Sequence, residues 1–484
     1  MPPQGRMAFV LAMVLVGNPA REPMLTLPFF AAPEGLDPAL QEFLDQASQR
    51  LCRWLADAEC RGPLPALSVL PAIAPEPTSR SATALLEDLQ LVMDGAYRPS
   101  HPGALAHLDP PPLTASIAAD LICAGLNNNL LAEELAPSLS HLERQLCQWL
   151  AQRLGLPSGA GGVPASGGSL SNLMALVVAR QRAGLGAEPG AVVLASDEAH
   201  VSLAKAVRVM GLQPDGLRRI AVDADGAMRL EALETALEQL QAEGRPCLAV
   251  VATAGTTVRG AIDPLPQLAE LCRRRGVWLH VDGAIGAVYA LSPDTSAPLE
   301  GLGRADSITV NPQKLLGITK TSSLLLVADR RLLAEAFATG LPYMEPAWGD
   351  AHGGEQGLQG SRPAEILKLW LGLRQLGESG IRSLLQGALQ RRQHLEARLD
   401  PERLQVSSGP LHLLVCRPRN AAPDQVDAWS ATTRARLLEH GFMLSRPFHG
   451  GCHPLKAVLG NPHTQSHHLD QLAAMLNRSV LENG

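Results

Sequence analysis

Ser307-Ile308-Thr309-Val310-Asn311-Pro312-Gln313-Lys314-Leu315-Leu316-Gly317 is the stretch on which the reading of this chain turns. Its first four residues read as a buried strand, and a second apolar run, Ser322 to Val327, follows closely. A lysine between two such segments is poorly placed for surface duty. Burial lowers the pKa of its amine and makes it a nucleophile able to condense with an aldehyde. Taken alone, a lysine in a strand-end loop is ordinarily a solvated charge. Its neighbours decide.

Outward from Lys314, strand-like and helix-like segments alternate. The strands are read at Ala191–Ala195, Leu248–Ala252, Val277–Val281 and Ser307–Val310. The helices are read at Leu170–Gln181, Leu203–Met210, Leu230–Gln241 and Leu265–Arg274. This order predicts an α/β fold whose mostly parallel sheet carries helices on both faces. Ligands in such sheets sit beyond the carboxyl ends of the strands. Upstream, Leu113 to Leu154 reads as two helices broken near Asn127-Asn128-Asn129 and Ala136-Pro137. Pro38 to Glu87 carries helical spacing interrupted by prolines, and residues 1–34 show no clear organisation. Downstream, Trp348 to Gly360 reads as a glycine-rich loop, and Ala364 to Leu399 as a long helix broken at Gly377–Gly380. The remainder, from about residue 402, alternates short strands and helices as a smaller α+β domain.

The 484 residues suffice for a large core and two or three domains, and 46% hydrophobic with 18% charged residues is the balance of a soluble enzyme. A net charge of −6 without a basic run gives nucleic acid no purchase. The eight cysteines are scattered without a CxxC pair, which argues for reduced thiols in the cytoplasm and against a zinc site or disulfide frame. One run points elsewhere. Met7 to Val16, after Arg6, has the character of a signal-peptide core, although it is too short to span a bilayer. A start at Met24 would remove it.

Four further segments carry chemistry. Gly161-Gly162-Val163-Pro164-Ala165-Ser166-Gly167-Gly168-Ser169 opens into a helix, and small residues before free helix N–H groups can hold a phosphate. The lysine of a Walker loop is missing, so nucleotide hydrolysis is disfavoured. His280-Val281-Asp282-Gly283-Ala284 sets an acid at a strand end, where it could pair with a protonated pyridine nitrogen while Ala284 lies against a ring. Ser196-Asp197-Glu198-Ala199-His200 brings a histidine that could stack on a planar group, and Thr253-Ala254-Gly255-Thr256-Thr257 offers small hydroxyls. Each alone reads equally as a cap, a turn or a structural residue. Together with Lys314 they supply a phosphate cradle, a ring stack, a ring-nitrogen acid and an amine, the parts that pyridoxal 5'-phosphate requires.

At this point the chain resembles the group II pyridoxal-phosphate-dependent amino-acid decarboxylases, which include glutamate, cysteine sulfinate, aromatic amino-acid and 2,4-diaminobutyrate decarboxylases. The resemblance runs over about residues 95–475 and is carried by PPPLTAS, GVPASGGSLSNLMALVVAR, SDEAHVSLAKA, ATAGTTVRGAIDPL, HVDGAIGA, NPQKLLG, LKLWLGLR and LKAVLGNP. It implies the fold type I, aspartate-aminotransferase-like architecture: a large cofactor-binding domain at 111–395 and a small C-terminal domain at 396–484. A helical dimerisation segment is implied at 35–110, with the active site of a homodimer between subunits.

The same resemblance implies residue roles. Lys314 would be the Schiff-base lysine, Asp282 the partner of the pyridine nitrogen and His200 the ring stacker. Gly168, Ser169 and Asn311 would hold the phosphate, and Thr253 and Ala284 would support the ring. Tyr343 would return a proton to the substrate α-carbon after CO2 leaves, favouring simple decarboxylation over the oxidative chemistry of relatives with phenylalanine there. Two departures stand out. Gln313 replaces the histidine usual before the lysine and cannot become cationic. Lys456 stands where several relatives place a carboxylate-gripping arginine, and it lacks the bidentate fork. The implied reaction is decarboxylation of an L-amino acid to an amine, with 2,4-diaminobutyrate, glutamate or aspartate, or an aromatic amino acid as substrate. Another carbon–carbon lyase, an aldehyde synthase or a non-catalytic cofactor-binding protein would use the same fold. No metal, nucleic acid or membrane partner is expected.

Overall fold

The structure is a computed structural model that describes residues 27–66, 69–341 and 352–480. The apolar run Met7–Val16, the alternative start Met24 and residues 348–351 of the glycine-rich loop lie outside these residues. No helix among the described residues is long and apolar enough to cross a membrane.

The chain forms two compact units. The first comprises 27–57 and 65–96. It holds the helices Pro38–Ala56 and Ala82–Asp94. Asp37 starts the first by accepting from the Ala39 and Leu40 N–H groups at 3.0 and 3.1 Å, with proline at the first helical position. Trp54 Nε1 donates to Met93 O at 2.7 Å and ties the two helices together.

The second unit, 58–64 and 97–480 among the described residues, is built on a seven-stranded sheet. Its strands are β1 (Gly161–Ala165), β2 (Val192–Ser196), β3 (Leu217–Ile220), β4 (Cys247–Thr253), β5 (Trp278–Gly283), β6 (Ser307–Val310) and β7 (Ser323–Val327). The spatial order is β1-β7-β6-β5-β4-β2-β3. Strands β3, β2, β4, β5 and β6 run parallel, and β7 is antiparallel to both its neighbours. Strands β2, β6 and β7 are buried along their whole length, as expected where helices cover both faces. The connecting helices Gly168–Arg182, Ser202–Val209, Leu230–Ala242 and Leu265–Arg275 occupy the predicted positions.

Three features depart from expectation. Gly161–Ala165, read as part of a loop, is strand β1, because its backbone pairs with β7 in spite of its glycines and Pro164. As an edge strand it tolerates the proline. Strand β3 was not expected either, since Arg218-Arg219 interrupts its apolar pattern; it too lies at an edge. Residues 97–110, expected with the N-terminal helices, bond within the second unit instead: Leu105 N–H donates to Met443 O at 3.1 Å, and Val458 N–H to Leu105 O at 2.7 Å. The helix Ile366–Arg398 carries a non-helical Gly377, inside the expected break.

Beyond it, β8 (Leu404–Ser407), β9 (Leu413–Pro418) and β10 (Leu455–Val458) form an antiparallel sheet in the order β10-β9-β8. The helices Pro423–Glu439 and Ser466–Ser479 cover it around a core that includes Leu404, Leu414, Trp429, Leu455 and Leu472.

Candidate active site

The carboxyl ends of β2, β4, β5 and β6 and the start of the helix Gly168–Arg182 surround a cavity of about 200 Å³. All nine residues that the sequence suggests for the cofactor reach its wall: Gly168, Ser169, His200 and Thr253 on one part, and Asp282, Ala284, Asn311, Gln313 and Lys314 on the rest. Lys314 closes a single 3-10 turn, Pro312–Lys314, directly after β6, and its N–H donates to Asn311 O at 3.0 Å. Burial lowers the pKa of its amine, while the carboxylates of Asp282 and Asp109 pull the other way.

Asp282 is the last residue but one of β5 and is buried with the rest of that strand end. In register it lies beside Thr253 of β4 and Thr309 of β6. Its two oxygens are held separately: Asn172 Nδ2 donates to Oδ2 at 2.8 Å, and the Ala284 N–H to Oδ1 at 3.2 Å. His200 Nδ1 accepts from the Ser202 N–H at 3.2 Å, so its proton sits on Nε2. Burial lowers its pKa and favours the neutral ring, against the pull of Asp282.

The wall carries signs of a missing partner. Thr253 Oγ1 and Asn311 Oδ1 are buried with no hydrogen-bond partner among the described residues, a cost that a bound polar group would remove. A Cβ placed on Gly168 would lie 3.1 Å from Asn311 Nδ2 and 3.5 Å from Ala284 Cβ, so glycine is what keeps this corner open. The first N–H groups of the adjoining helix have no intrahelical acceptors and favour an anion. A phosphorylated pyridine aldehyde fits this donor set: an anion hole at Gly168, a carboxylate and a buried amine.

Gln313 has one end committed. Its Oε1 accepts from the Ser322 N–H at 2.5 Å, which leaves Nε2 as a donor. Lys456, on β10, is not on the cavity wall. Its Nζ donates to Thr257 O at 3.3 Å, and Thr257 borders the cavity. Burial, helped by the charge of Lys314, pushes its pKa down to about 8. Tyr343 lies outside the described residues. Sequence reasoning missed Asn172 and Ile285 as wall residues, while Gly255 and Thr257 fall in the Thr253–Thr257 segment it had singled out. The signal for Asn172 was present: it is an amide directly before the apolar stretch from Leu173 to Ala179, and it is buried.

Comparison with known proteins agrees with this chemistry. The family model for the pyridoxal-dependent decarboxylase conserved domain matches residues 65–416. An L-2,4-diaminobutyrate decarboxylase of Rhizobium meliloti is 36% identical over 375 residues, covering 76% of this chain and 75% of that protein. The human cysteine sulfinic acid decarboxylase is 30% identical over 437 residues, covering 84% and 86%. Among solved structures, mouse CSAD in apo form superposes with a TM-score of 0.84 at 25% identity, covering 92% of this chain and 99% of that one. Oryza sativa TDC with PLP and tryptamine shares the fold at a TM-score of 0.86 and 24% identity, over 94% and 99%. With a fold type I architecture and a family match across most of its length, the chain belongs to the pyridoxal-dependent decarboxylases and is a carboxy-lyase that uses pyridoxal 5'-phosphate to take CO2 from an amino acid.

Proposed function

We propose that the strand-end cavity is the decarboxylation site, with Lys314 holding the cofactor through its aldehyde carbon and Asp282 holding a proton on its ring nitrogen. The buried amine of Lys314 sharing one small cavity with the doubly hydrogen-bonded Asp282 carries this reading. When bound, pyridoxal phosphate supplies the sink for the electron pair that departing CO2 leaves behind. Gly168, Ser169 and Asn311 receive the phosphate at the helix start, and the neutral His200 ring lies against the pyridine. Thr253 and Ala284 support the ring, and Gln313 offers Nε2 where a cationic histidine is usual. Tyr343 is assigned from the sequence alone as the group that returns a proton to the α-carbon.

Gly168→Ala tests the phosphate corner. Its methyl group must displace Asn311, so the dissociation constant for pyridoxal phosphate, read by absorbance titration, is expected to rise roughly tenfold, or about 1.4 kcal/mol. An unchanged constant would move the phosphate elsewhere.

Lys456 is proposed to meet the substrate carboxylate as an ammonium. Its lowered pKa means that the charged form is lost as pH rises through the region of 8, so kcat/KM should fall on that limb. Lys456→Arg keeps the charge to far higher pH and should carry the fall with it. A limb that stays in place would remove Lys456 from the carboxylate.

For the substrate we favour 2,4-diaminobutyrate. The Rhizobium relative is named for that amino acid, whereas Asp109, which acts electrostatically on Lys314, is paired with Lys320 Nζ at 2.6 Å. CO2 release measured across diaminobutyrate, glutamate, aspartate, cysteine sulfinate and aromatic amino acids decides it; preference for an acidic or aromatic substrate would overturn the choice.

We further propose a homodimer. The helix Thr114–Leu126 leaves Leu121, Ile122 and Leu126 about half exposed, an apolar stripe suited to a second copy. Light scattering at one chain mass would refute it. Eight unpaired thiols support a cytoplasmic location, which fractionation of the native host would test.

A further inference from the structure

Behind Asp282 a buried polar run leads away from the cavity wall, starting at Asn172. Asn172 reaches down from the helix Gly168–Arg182 onto the sheet, and all four hydrogen-bonding positions of its amide are used. Nδ2 donates to Asp282 Oδ2 at 2.8 Å and to Ser202 Oγ at 3.0 Å. Oδ1 accepts from Thr309 Oγ1 at 2.7 Å and lies 3.1 Å from His280 Nε2. His280 Nδ1 is 2.9 Å from Ser307 Oγ, and Trp278 Nε1 donates to that same oxygen at 2.9 Å. Trp278, His280 and Asp282 alternate along β5, so strand geometry alone sets them on one face.

Chemistry fixes the direction of every link. An ionised carboxylate only accepts, so the Asn172 NH2 must face Asp282 and its carbonyl must face His280. His280 therefore carries its proton on Nε2, and its bare Nδ1 must accept from the Ser307 hydroxyl. Ser307 in turn receives the indole N–H of Trp278, which can only donate. The dipoles of this chain all point one way, towards Asp282. Asn172, His280, Ser307 and Thr309 are at most 1% exposed, so water does not compete. Burial keeps His280 neutral, with its pKa down to about 4, in keeping with that tautomer.

We propose that Asn172 and His280 are positioning residues of the decarboxylase, forming with Ser307 a one-way donor chain that holds the Asp282 carboxylate aimed at the cofactor's ring nitrogen. A buried carboxylate needs donors to satisfy its oxygens, and a donor fixed from behind also fixes the direction of the carboxylate. Aligned donors in a dry interior reinforce one another. The inference rests on the assignment of Asp282 to the ring nitrogen.

The test uses the full chain reconstituted with pyridoxal phosphate isotopically labelled at its ring nitrogen, whose NMR resonance separates the protonated from the neutral ring. Wild type is expected to show the protonated ring. Asn172→Leu and His280→Leu should move the resonance towards neutral and lower kcat roughly tenfold to hundredfold with little change in KM, the scale of a lost hydrogen bond to a charged group. His280→Gln, whose amide can still donate to Asn172 Oδ1, should stay near wild type; a purely space-filling role would not separate Gln from Leu. Ser307→Ala removes one far link with almost no change in volume and should shift the resonance in the same direction, which keeps the proposal open to refutation if the larger changes fail to fold. Retention of the wild-type resonance in the folded leucine and alanine variants overturns the chain's role. A neutral ring in wild type overturns instead the assignment of Asp282 on which it rests.

Discussion

Lys314→Ala is expected to lose CO2 release by on the order of a thousandfold or more and to lose the ability to be joined to pyridoxal phosphate by borohydride. Mass spectrometry of the reduced wild type should find the added mass on the peptide that contains Lys314; a label elsewhere, or an alanine variant that turns over normally, would end the assignment. The variant should nevertheless fold. Burial lowers the amine's pKa in the folded chain, so between that value and the unfolded lysine value the unfolded state binds more protons. Wild-type stability therefore rises with pH through that window, and below it the charged amine is a net cost to the fold. Alanine removes the cost: its apo form should melt no lower than wild type at neutral pH and show a flatter alkaline rise. Lost activity with retained stability is the signature that separates a reacting group from a packing one.

Asp282→Asn is the second large effect. The side chain keeps its shape but not its charge, and kcat is expected to fall roughly a hundredfold to a thousandfold, as for loss of a preorganised electrostatic group. The local geometry makes this more than a change of charge. Both partners of Asp282, Asn172 Nδ2 and the Ala284 N–H, are donors. An amide must turn its own NH2 towards one of them, leaving buried donors face to face at a cost of about 1–3 kcal/mol. Denaturant unfolding should show that loss in the apo protein, and pyridoxal phosphate titration a weaker complex. Near-wild-type turnover in this variant would deny Asp282 its role.

Much of the fold was legible because its parallel strands are short, apolar and separated by amphipathic helices. Strand β6 was read to its exact residues, and β4 and β5 to within a residue or two. The wall residues could be read because they sit at strand ends: Thr253 closes β4, Asp282 is next to last in β5, and Asn311 and Lys314 follow β6. The edges were harder. Pairing with β7 makes Gly161–Ala165 a strand, and nothing local in those residues announces it. Asn172 escaped for a related reason: an amide on a helix counts as solvated until a sheet is known to lie beneath it. Lys456 comes from a separate small sheet, so its reach to Thr257 was not available from spacing.

Strand β1 has one neighbour in the sheet, β7, and lies far upstream of it in the chain. The order of synthesis is thus at odds with the order of assembly. The ribosome delivers the anion-holding turn at Gly168 early, but that turn hangs from a strand with nothing to pair against until residue 327 has emerged. Closing so long a loop is entropically slow and comes late in folding. A growing chain that already contains Asp282, and even Lys314, still lacks β7, the strand against which β1 and its phosphate corner are held.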